Sequence, residues 1–191
     1  MIKEEFIETI KCDDYEVFNI EYHKKRIINT IGINICLEEY IYPLTEDFLK
    51  CKVLYNQDGI IDITYSKYIP KDIHKFRILI DNDINYNKKS ANRESIDNLY
   101  KLKEDYDEII IVKNGYITDT SIANIAILID NIWYTPKSPL LNGTTKQRYL
   151  DNRKIIEKDI DLDLLYKAEK IALMNAMIDF KVIDEFSLSH L

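Results

Sequence analysis

The stretch VKNGYITDTSIANIAI, residues 112–127, places a carboxylate, two hydroxyls and an amide within six positions. Its Asn-Gly pair, Asn114 and Gly115, predicts a hairpin, because both residues tolerate positive φ. A polar bend in a hairpin would account for the turn alone. It would not account for Asp119 and Ser121, which stand just before an apolar run that reads as a buried strand. This spacing indicates a ligand-binding site at the start of that strand.

Two adjacent lysines, Lys88 and Lys89, end the polar bend DNDINYNKK and precede a helix that is predicted to open at Ser90. Adjacent lysines are in most proteins solvated. The alternative is a lysine held at a boundary between two lobes, where loss of water makes its amine reactive enough to form a Schiff base. Composition alone favours the solvated interpretation.

A third element is Gly143, followed by Thr144, Thr145 and a predicted helix. Free backbone N–H groups and two hydroxyls at a helix N-terminus form an anion site, although a simple capping turn would have the same sequence. Arg26 lies on the surface of an earlier predicted helix and by itself is an exposed arginine. Weaker candidates for contact with substrate carboxylates lie on predicted strands: Lys52, Tyr65 and Arg77.

Hydrophobic periodicity predicts the elements that must position these residues. Alternating patterns predict one hairpin around residues 13–14 and a second that turns at residues 56–59. Helical spacing predicts a helix closed by Gly32 and a short helix capped by Thr45. Further helices are predicted in the stretches SANRESIDNLYKLKEDY, GTTKQRYLDNRKII and DIDLDLLYKAEKIAL, and further strands in FRILIDN, DEIIIVKNG, ANIAILID, NIWYTP and FKVIDEF.

Strands and helices in this order predict an α+β protein with two small lobes. The polar bend at residues 79–88 is the predicted boundary, which gives a small lobe at residues 1–82 and a larger lobe at residues 83–191. A chain of 191 residues with 46% apolar residues can bury a core in such an arrangement.

Composition excludes several classes of protein. A net charge of −7 argues against nucleic-acid binding, since phosphate contacts need a basic face. No apolar run approaches the roughly 18–20 residues of a membrane span, and the N-terminus lacks the apolar core of a signal peptide, so a cytoplasmic location is expected. Three cysteines without CxxC spacing and three scattered histidines predict neither a disulfide framework nor a metal site.

Taken together, the motifs resemble those of the class IV aminotransferases. These fold-type-IV pyridoxal-phosphate enzymes include branched-chain and D-amino-acid aminotransferases and 4-amino-4-deoxychorismate lyase. The similarity runs from about residue 6 to residue 180 in the family's order, through the segments FIETIK, YHKKRI, KSANR, NGYITDTSIANI, LLNGTTKQ and LMNAM. It implies a two-lobe fold like that of D-amino-acid aminotransferase, and pyridoxal 5'-phosphate as cofactor.

The resemblance also implies roles for individual residues. Lys89 is the expected Schiff-base lysine, because it precedes an Asn-Arg pair at three and four residues, as in the family's lyase-like members. Asp119 is expected at the ring nitrogen of the cofactor, and Arg26, in a His-x-x-Arg segment with His23, at its phosphate. The other expected cofactor contacts are Ser121, Asn124, Gly143, Thr144, Thr145 and Asn175.

The chain departs from the family pattern at three points. The acid at the ring nitrogen is usually glutamate, and Asp119 is one methylene shorter. The phosphate turn has Lys146 where arginine is common, which keeps the charge but loses the bidentate fork. Most relatives also have a further N-terminal segment before FIETIK, so the resemblance implies a fold trimmed at its N-terminus.

Among the family's reactions, the KSANR and LMNAM segments favour 4-amino-4-deoxychorismate lyase, which releases pyruvate and leaves 4-aminobenzoate for folate synthesis. The alternatives are an aminotransferase of branched-chain or D-amino acids and a pyridoxal-phosphate-binding protein without turnover. The expected partners are a small amino substrate and a second copy of the chain in a homodimer, with no nucleic acid and no membrane.

Overall fold

The computed structural model describes residues 3–189, and the predicted α+β class is confirmed. Among these residues no helix is long and apolar enough to cross a membrane. A short 3-10 helix covers Leu37–Glu39. The other elements, in chain order, are β1 Phe6–Asp13, β2 Glu16–Val17, α1 Ile20–Ile31, β3 Leu49–Asn56, β4 Gly59–Lys67, β5 Lys75–Ile80, α2 Glu94–Lys101, β6 Glu108–Lys113, β7 Tyr116–Thr120, β8 Asn124–Ile129, β9 Ile132–Pro136, α3 Thr144–Asp151, β10 Ile156–Lys158, α4 Leu162–Leu165, β11 Lys170–Asn175, β12 Asp179–Ile183 and β13 Ser187–Leu188.

The chain divides into two compact units. Unit 1 extends to Pro70 and also contains Lys88–Asn92, whereas unit 2 contains Lys71–Asn87 and the chain from Arg93 onward. This division differs from the predicted boundary between residues 82 and 83. The difference arises because β5 pairs in parallel with β6 and therefore joins the sheet of unit 2, while Lys88–Asn92 returns to unit 1.

Unit 1 is an antiparallel sheet covered by α1. Its described strands are ordered β2-β1-β3-β4. Alternate residues of β1 face the core, where Phe6 and Ile10 pack with Ile27 of α1. Gly32 ends α1 with φ 75°, a left-handed conformation that glycine adopts without steric cost, so the predicted helix and its cap are confirmed.

The segment Lys88–Asn92 adds to the free edge of β1 in unit 1. The Ile7 N–H donates to the Lys89 carbonyl at 2.9 Å, and the Ala91 N–H donates to the Glu5 carbonyl at 2.8 Å. Phe6 and Ser90 form an antiparallel bridge between these two bonds. The backbone of Lys89 is therefore fixed against β1 by strand-type hydrogen bonds.

Unit 2 contains a mixed sheet that branches at β8. Its described strands run in the order β10-β9-β8-β7-β6-β5-β13, and β11 pairs with both β8 and β12. The strands β6, β8 and β11 are almost wholly buried, and they supply much of the core with residues such as Ile110, Ile125 and Leu173. The pairing of β7 with β8 is limited to Asp119 opposite Asn124.

Two predicted elements differ from the structure. No helix begins at Thr45; residues 45–47 form a bend before β3. The stretch predicted to hold a helix near residues 159–173 contains only the four-residue α4, and β11 follows it. Strand β11 is buried between β8 and β12, so its sequence lacks the alternation of a half-exposed strand.

Candidate active site

Asp119 lies at the end of β7 and is 5% exposed. Its Oδ1 accepts a hydrogen bond from Asn124 Nδ2 at 2.6 Å, and its Oδ2 accepts one from the Leu141 N–H at 2.9 Å. Asn124 Nδ2 also donates to the Leu141 carbonyl at 2.8 Å. The carboxylate is thus oriented by donors from two other segments. Since each carboxylate oxygen has two lone pairs, both oxygens retain capacity for a further donor.

Burial raises the pKa of Asp119 to about 6. The Leu141 N–H, the Asn124 amide, the charge of Lys146 and the Leu140 N–H all act in the opposite direction. At neutral pH the group is therefore mostly ionised, but a nearby proton would be held more strongly than by an exposed aspartate. Such a carboxylate is suited to hold a proton on a heterocyclic nitrogen.

The bend between β7 and β8 brings Asp119 opposite Asn124. Thr120 Oγ1 accepts from the Ala123 N–H at 3.0 Å, so this hydroxyl stabilises the bend itself. The Ser121 N–H donates to Glu108 Oε1 at 3.1 Å, and the Ser121 carbonyl accepts from Arg93 Nη2 at 2.9 Å. The backbone of Ser121 is therefore fixed, and its side chain remains a predicted cofactor contact.

Gly143 precedes α3 in an extended conformation, with φ −72° and ψ 143°. A Cβ atom at this position would lie 2.0 Å from Asn124 Oδ1, so the site admits only glycine without rearrangement. Thr144 and Thr145 follow in the first turn of the helix, where backbone N–H groups have no partner within the helix. Such a turn can bind an anionic group such as a phosphate, and this role of the Gly143 turn remains a prediction.

Lys146 is 2% exposed and pairs with Glu157 Oε1 at 2.8 Å. The lysine that replaces the family's arginine is thus held by a carboxylate of β10. Asn175 ends β11, and its Nδ2 donates to the Ile122 carbonyl at 3.2 Å. Its Oδ1 accepts from the N–H groups of Met177 and Ile178 at 2.9 and 3.0 Å. Asn175 therefore lies beside the bend after β7, and its expected contact with the cofactor remains a prediction.

Unit 1 contains a second buried polar group, which we call the Glu8 cluster: Glu8, His23 and Arg26. Glu8 Oε1 accepts from Arg26 Nε at 2.8 Å, and Oε2 accepts from Arg26 Nη2 and lies 2.6 Å from His23 Nδ1. Glu8 and His23 are fully buried, and the Arg26 side chain is 13% exposed. Arg26 is therefore not the exposed arginine that its helix pattern alone would suggest.

Lys89 is half-buried, and it follows Lys88, which is exposed. Burial lowers the pKa of His23, and the positive charges of Arg26 and Lys89 act in the same direction, against the effect of Glu8. The charge of Lys89 is thus close enough to the Glu8 cluster to affect the protonation of His23. Lys88 instead donates to the Thr30 carbonyl at 3.0 Å. The two adjacent lysines have different environments.

The three weaker candidates lie on strands of different units. Lys52 is exposed on β3 of unit 1. Tyr65 lies on β4 of the same sheet, and its hydroxyl accepts from the Tyr42 N–H at 2.9 Å. Arg77 lies on β5 of unit 2, where it forms an ion pair with Glu104. A role for these side chains in substrate binding remains a prediction.

Sequence reasoning missed the part played by Glu8, although a signal was present. In FIETI the residues Phe6, Glu8 and Ile10 share one face of a strand, and an acid between two core residues predicts a buried carboxylate with a cationic partner. The sequence carried no signal for the Leu141 N–H that contacts Asp119, because every residue except proline supplies such a backbone donor.

A family model described as amino-transferase class IV matches residues 87–184, just over half of the chain. An uncharacterized protein of Haemophilus influenzae is 33% identical over 163 residues, which cover 85% of this chain and 86% of that protein. A crystal structure of a candidate 4-amino-4-deoxychorismate lyase from Haemophilus somnus 129pt is 30% identical, with a TM-score of 0.80, and the match covers 93% of this chain and 98% of that one.

A hypothetical aminotransferase from Mycobacterium tuberculosis, solved in a PLP-bound form, has the same fold. It is 15% identical with a TM-score of 0.75, and the match covers 96% of this chain and 81% of that chain. The family match, together with relatives that are similar over nearly their whole length, confirms the predicted family and enzyme class. The chain belongs to the class IV aminotransferases, a family of enzymes that depend on pyridoxal phosphate.

Proposed function

We propose that the chain is a 4-amino-4-deoxychorismate lyase, which converts its substrate to pyruvate and 4-aminobenzoate. The observation that carries this choice is the similarity to the Haemophilus somnus structure, at 30% identity over 93% of this chain. The KSANR segment at Lys89 and the LMNAM segment at Asn175 support it, because both resemble the lyase members more than the aminotransferases.

The residues present fit pyridoxal phosphate. When bound, it supplies an electron sink for bonds at the carbon that carries the substrate amino group. We assign Lys89 to its covalent attachment and Asp119 to its ring nitrogen. The residues assigned to its phosphate and its remaining contacts are Arg26, Ser121, Asn124, Gly143, Thr144, Thr145 and Asn175.

In this proposal the protein's own groups move or hold the protons. The Lys89 amine, which would hold the cofactor, would also act as the general base that removes the proton from the carbon bearing the substrate nitrogen. Asp119 keeps a proton on the ring nitrogen, because a nearby carboxylate favours the positively charged form. Its hydrogen bonds to Asn124 and Leu141 hold the carboxylate in one orientation for that task.

The alternative is an aminotransferase of branched-chain or D-amino acids, since the same lysine serves both reactions. A lyase needs one amino substrate, whereas an aminotransferase also needs a 2-oxo acid acceptor. The purified protein, loaded with pyridoxal phosphate, should be incubated with aminodeoxychorismate in the absence of any 2-oxo acid, with 4-aminobenzoate and pyruvate measured together. We expect equal amounts of both products from the wild type and none from Lys89→Ala. Product formation only after a 2-oxo acid is added would identify an aminotransferase.

We further propose that the chain acts as a homodimer, as the family resemblance implies. Several large apolar side chains of unit 1 are exposed, including Leu44 at 83%, and exposed apolar side chains that lie close together often mark an interface with a partner. The others near it in sequence are Tyr40 and Tyr42, and Tyr15 lies in the first hairpin.

A further inference from the structure

Glu8 is a fully buried carboxylate on the core-facing side of β1, between Phe6 and Ile10. An apolar side chain would fill this position without the large cost of removing a charge from water. The chain instead has an acid there, and Arg26 and His23 both reach it. Its position in the core therefore calls for an explanation beyond packing.

The geometry of the Glu8 cluster fixes the guanidinium of Arg26. Both Glu8 oxygens accept from the same edge of that group, Oε1 from Nε and Oε2 from Nη2. Such a bidentate pair sets the plane and the direction of an arginine more strictly than a single contact does. His23, at 2.6 Å from Oε2, in turn restrains the carboxylate.

We propose that Glu8 is a positioning residue: it holds the Arg26 guanidinium in the orientation in which that group binds the phosphate of the cofactor. The inference rests on the proposed function, in which Arg26 contacts this phosphate. An arginine side chain loses considerable rotamer freedom when it binds an anion. Where Glu8 has already ordered the side chain, less freedom remains to be lost when the phosphate binds.

The carboxyl group of Glu8 stays ionised at neutral pH. Burial alone would raise the pKa of Glu8, but the charge of Arg26 and the hydrogen bonds from His23 and Arg26 outweigh it and lower this pKa to about 2. A negative charge beside Arg26 opposes the binding of a phosphate. Removing this charge would by electrostatics alone strengthen phosphate binding, so a loss of affinity for the phosphate relative to pyridoxal points to a misplaced guanidinium.

The test compares the affinity of the cofactor-free protein for pyridoxal phosphate with its affinity for pyridoxal, which lacks the phosphate. The dissociation constant for pyridoxal divided by that for pyridoxal phosphate is the preference of the protein for the phosphate. This ratio isolates the phosphate contact, and its measurement requires no turnover. We expect Glu8→Gln to reduce this preference roughly tenfold or more while leaving the affinity for pyridoxal unchanged. Glu16→Gln, an exposed change on β2, is the matched control and should leave the preference as in the wild type.

Two further variants keep the inference open to contradiction. Glu8→Asp retains the charge but is too short for the paired contact, so it should also weaken the preference, even if Glu8→Gln does not fold. Arg26→Lys removes the fork itself, and adding Glu8→Gln to it should cause little further loss. Suppose that Arg26→Lys clearly loses the preference for pyridoxal phosphate over pyridoxal, but that Glu8→Gln or Glu8→Asp keeps or increases it. This result would overturn the inference about Glu8 and leave the proposed role of Arg26 intact. If Arg26→Lys behaves as the wild type, the proposed role of Arg26 fails, and the inference fails with it.

Discussion

Asp119 and Asn124 are directly opposite each other, and the Asn124 amide donates to the Asp119 carboxylate at 2.6 Å. The residues between them form the bend that joins β7 to β8. This contact explains why the acid and the amide are five residues apart: the spacing places both side chains at the same end of the sheet. The Leu141 N–H, at 2.9 Å from Oδ2, fixes the second oxygen.

The first prediction concerns the charge of Asp119. Asp119→Asn should reduce turnover roughly 30- to 1,000-fold, which corresponds to about 2–4 kcal/mol of lost electrostatic stabilisation of the transition state. The affinity for pyridoxal phosphate should fall much less, because Arg26 and the Gly143 turn would hold the phosphate independently. Single-turnover rates and cofactor titrations measure the two effects.

Asp105→Asn removes an exposed aspartate and serves as the matched control for this change. Asp119→Glu restores the residue that is common in the family and should retain activity if the added methylene is accommodated. Equal rates for the wild type and Asp119→Asn would leave Asp119 with a purely structural role at the end of β7.

The second prediction concerns Gly143, whose missing side chain leaves space for Asn124. Gly143→Ala would place a methyl group 2.0 Å from Asn124 Oδ1, so Asn124 must move and its contact with Asp119 must change. We expect a loss of roughly 1–3 kcal/mol in the free energy of unfolding, as for other overpacked sites. Denaturant unfolding of Gly143→Ala, Asn124→Ala and the double variant measures it. Asn124→Ala removes the atom with which the new methyl group collides. The double variant should therefore lose less free energy of unfolding than the two single variants lose together, and additive losses would contradict the clash.

The third prediction identifies the lysine that carries the cofactor. Lys89 is fixed to β1 through its carbonyl, whereas the exposed Lys88 contacts the Thr30 carbonyl. Borohydride reduction of the protein loaded with pyridoxal phosphate, followed by peptide mapping, should find the label on Lys89. Lys89→Ala should lose both the label and, by roughly a thousandfold or more, the turnover. Lys88→Ala is the matched control and should keep both, and a label on Lys88 would show that the register of KSANR is wrong.

Local patterns in the sequence predicted elements whose determinants are close in the chain. The hairpin at Asn114, the cap at Gly32 and the spacing of Asp119 from Asn124 depend on residues a few positions apart. The strand β11 was missed because its strand character depends on burial between β8 and β12. Although β12 follows β11 directly, β8 pairs with β11 from a distant part of the chain, which no local pattern indicates.

The same distinction applies to the candidate site. The resemblance supplied Arg26 through a short motif, but the partner that orients it, Glu8, is 18 residues away in the chain. The donor at Leu141 is a backbone group, so no residue type marks it. The return of Lys88–Asn92 to unit 1 likewise depends on hydrogen bonds to β1 that no local pattern encodes.

The fourth prediction concerns assembly. Light scattering of the protein with pyridoxal phosphate should give twice the chain mass of 22.7 kDa. Leu44 and Tyr42 are 83% and 60% exposed in unit 1, and replacing both by lysine should weaken the dimer if this surface is covered by the partner. Ile132→Lys, at an exposed apolar position of unit 2, is a control for the added charge. A wild-type mass of 22.7 kDa at micromolar concentration would contradict the dimer.

The last prediction concerns the acid stability of unit 1. The pKa of Glu8 is lowered from 4.5 to about 2 in the folded protein, so its ionised form stabilises the fold above pH 4.5, and this stability is lost as the pH falls toward 2. The full shift corresponds to about 3 kcal/mol. Glu8→Gln should therefore lower the free energy of unfolding near pH 5 to 7, and its difference from the wild type should narrow as the pH falls below 4.5.

Urea unfolding at a series of pH values measures this difference, and Glu16→Gln should show no such pH dependence. The other titratable groups that act on or sense Glu8 are Arg26, His23 and Tyr55. Glu8 raises the pKa of His23, so in Glu8→Gln this histidine resists protonation more strongly, and it adds to the difference only at pH values below the pKa that His23 has in the folded wild type. Asp119, whose pKa is raised, destabilises with rising pH between about 4 and 6, but it is present in both proteins and cancels. A difference that stays constant from pH 7 to pH 3 would mean that Glu8 gains no stability from its charge, and that the contact with Arg26 contributes only through its shape.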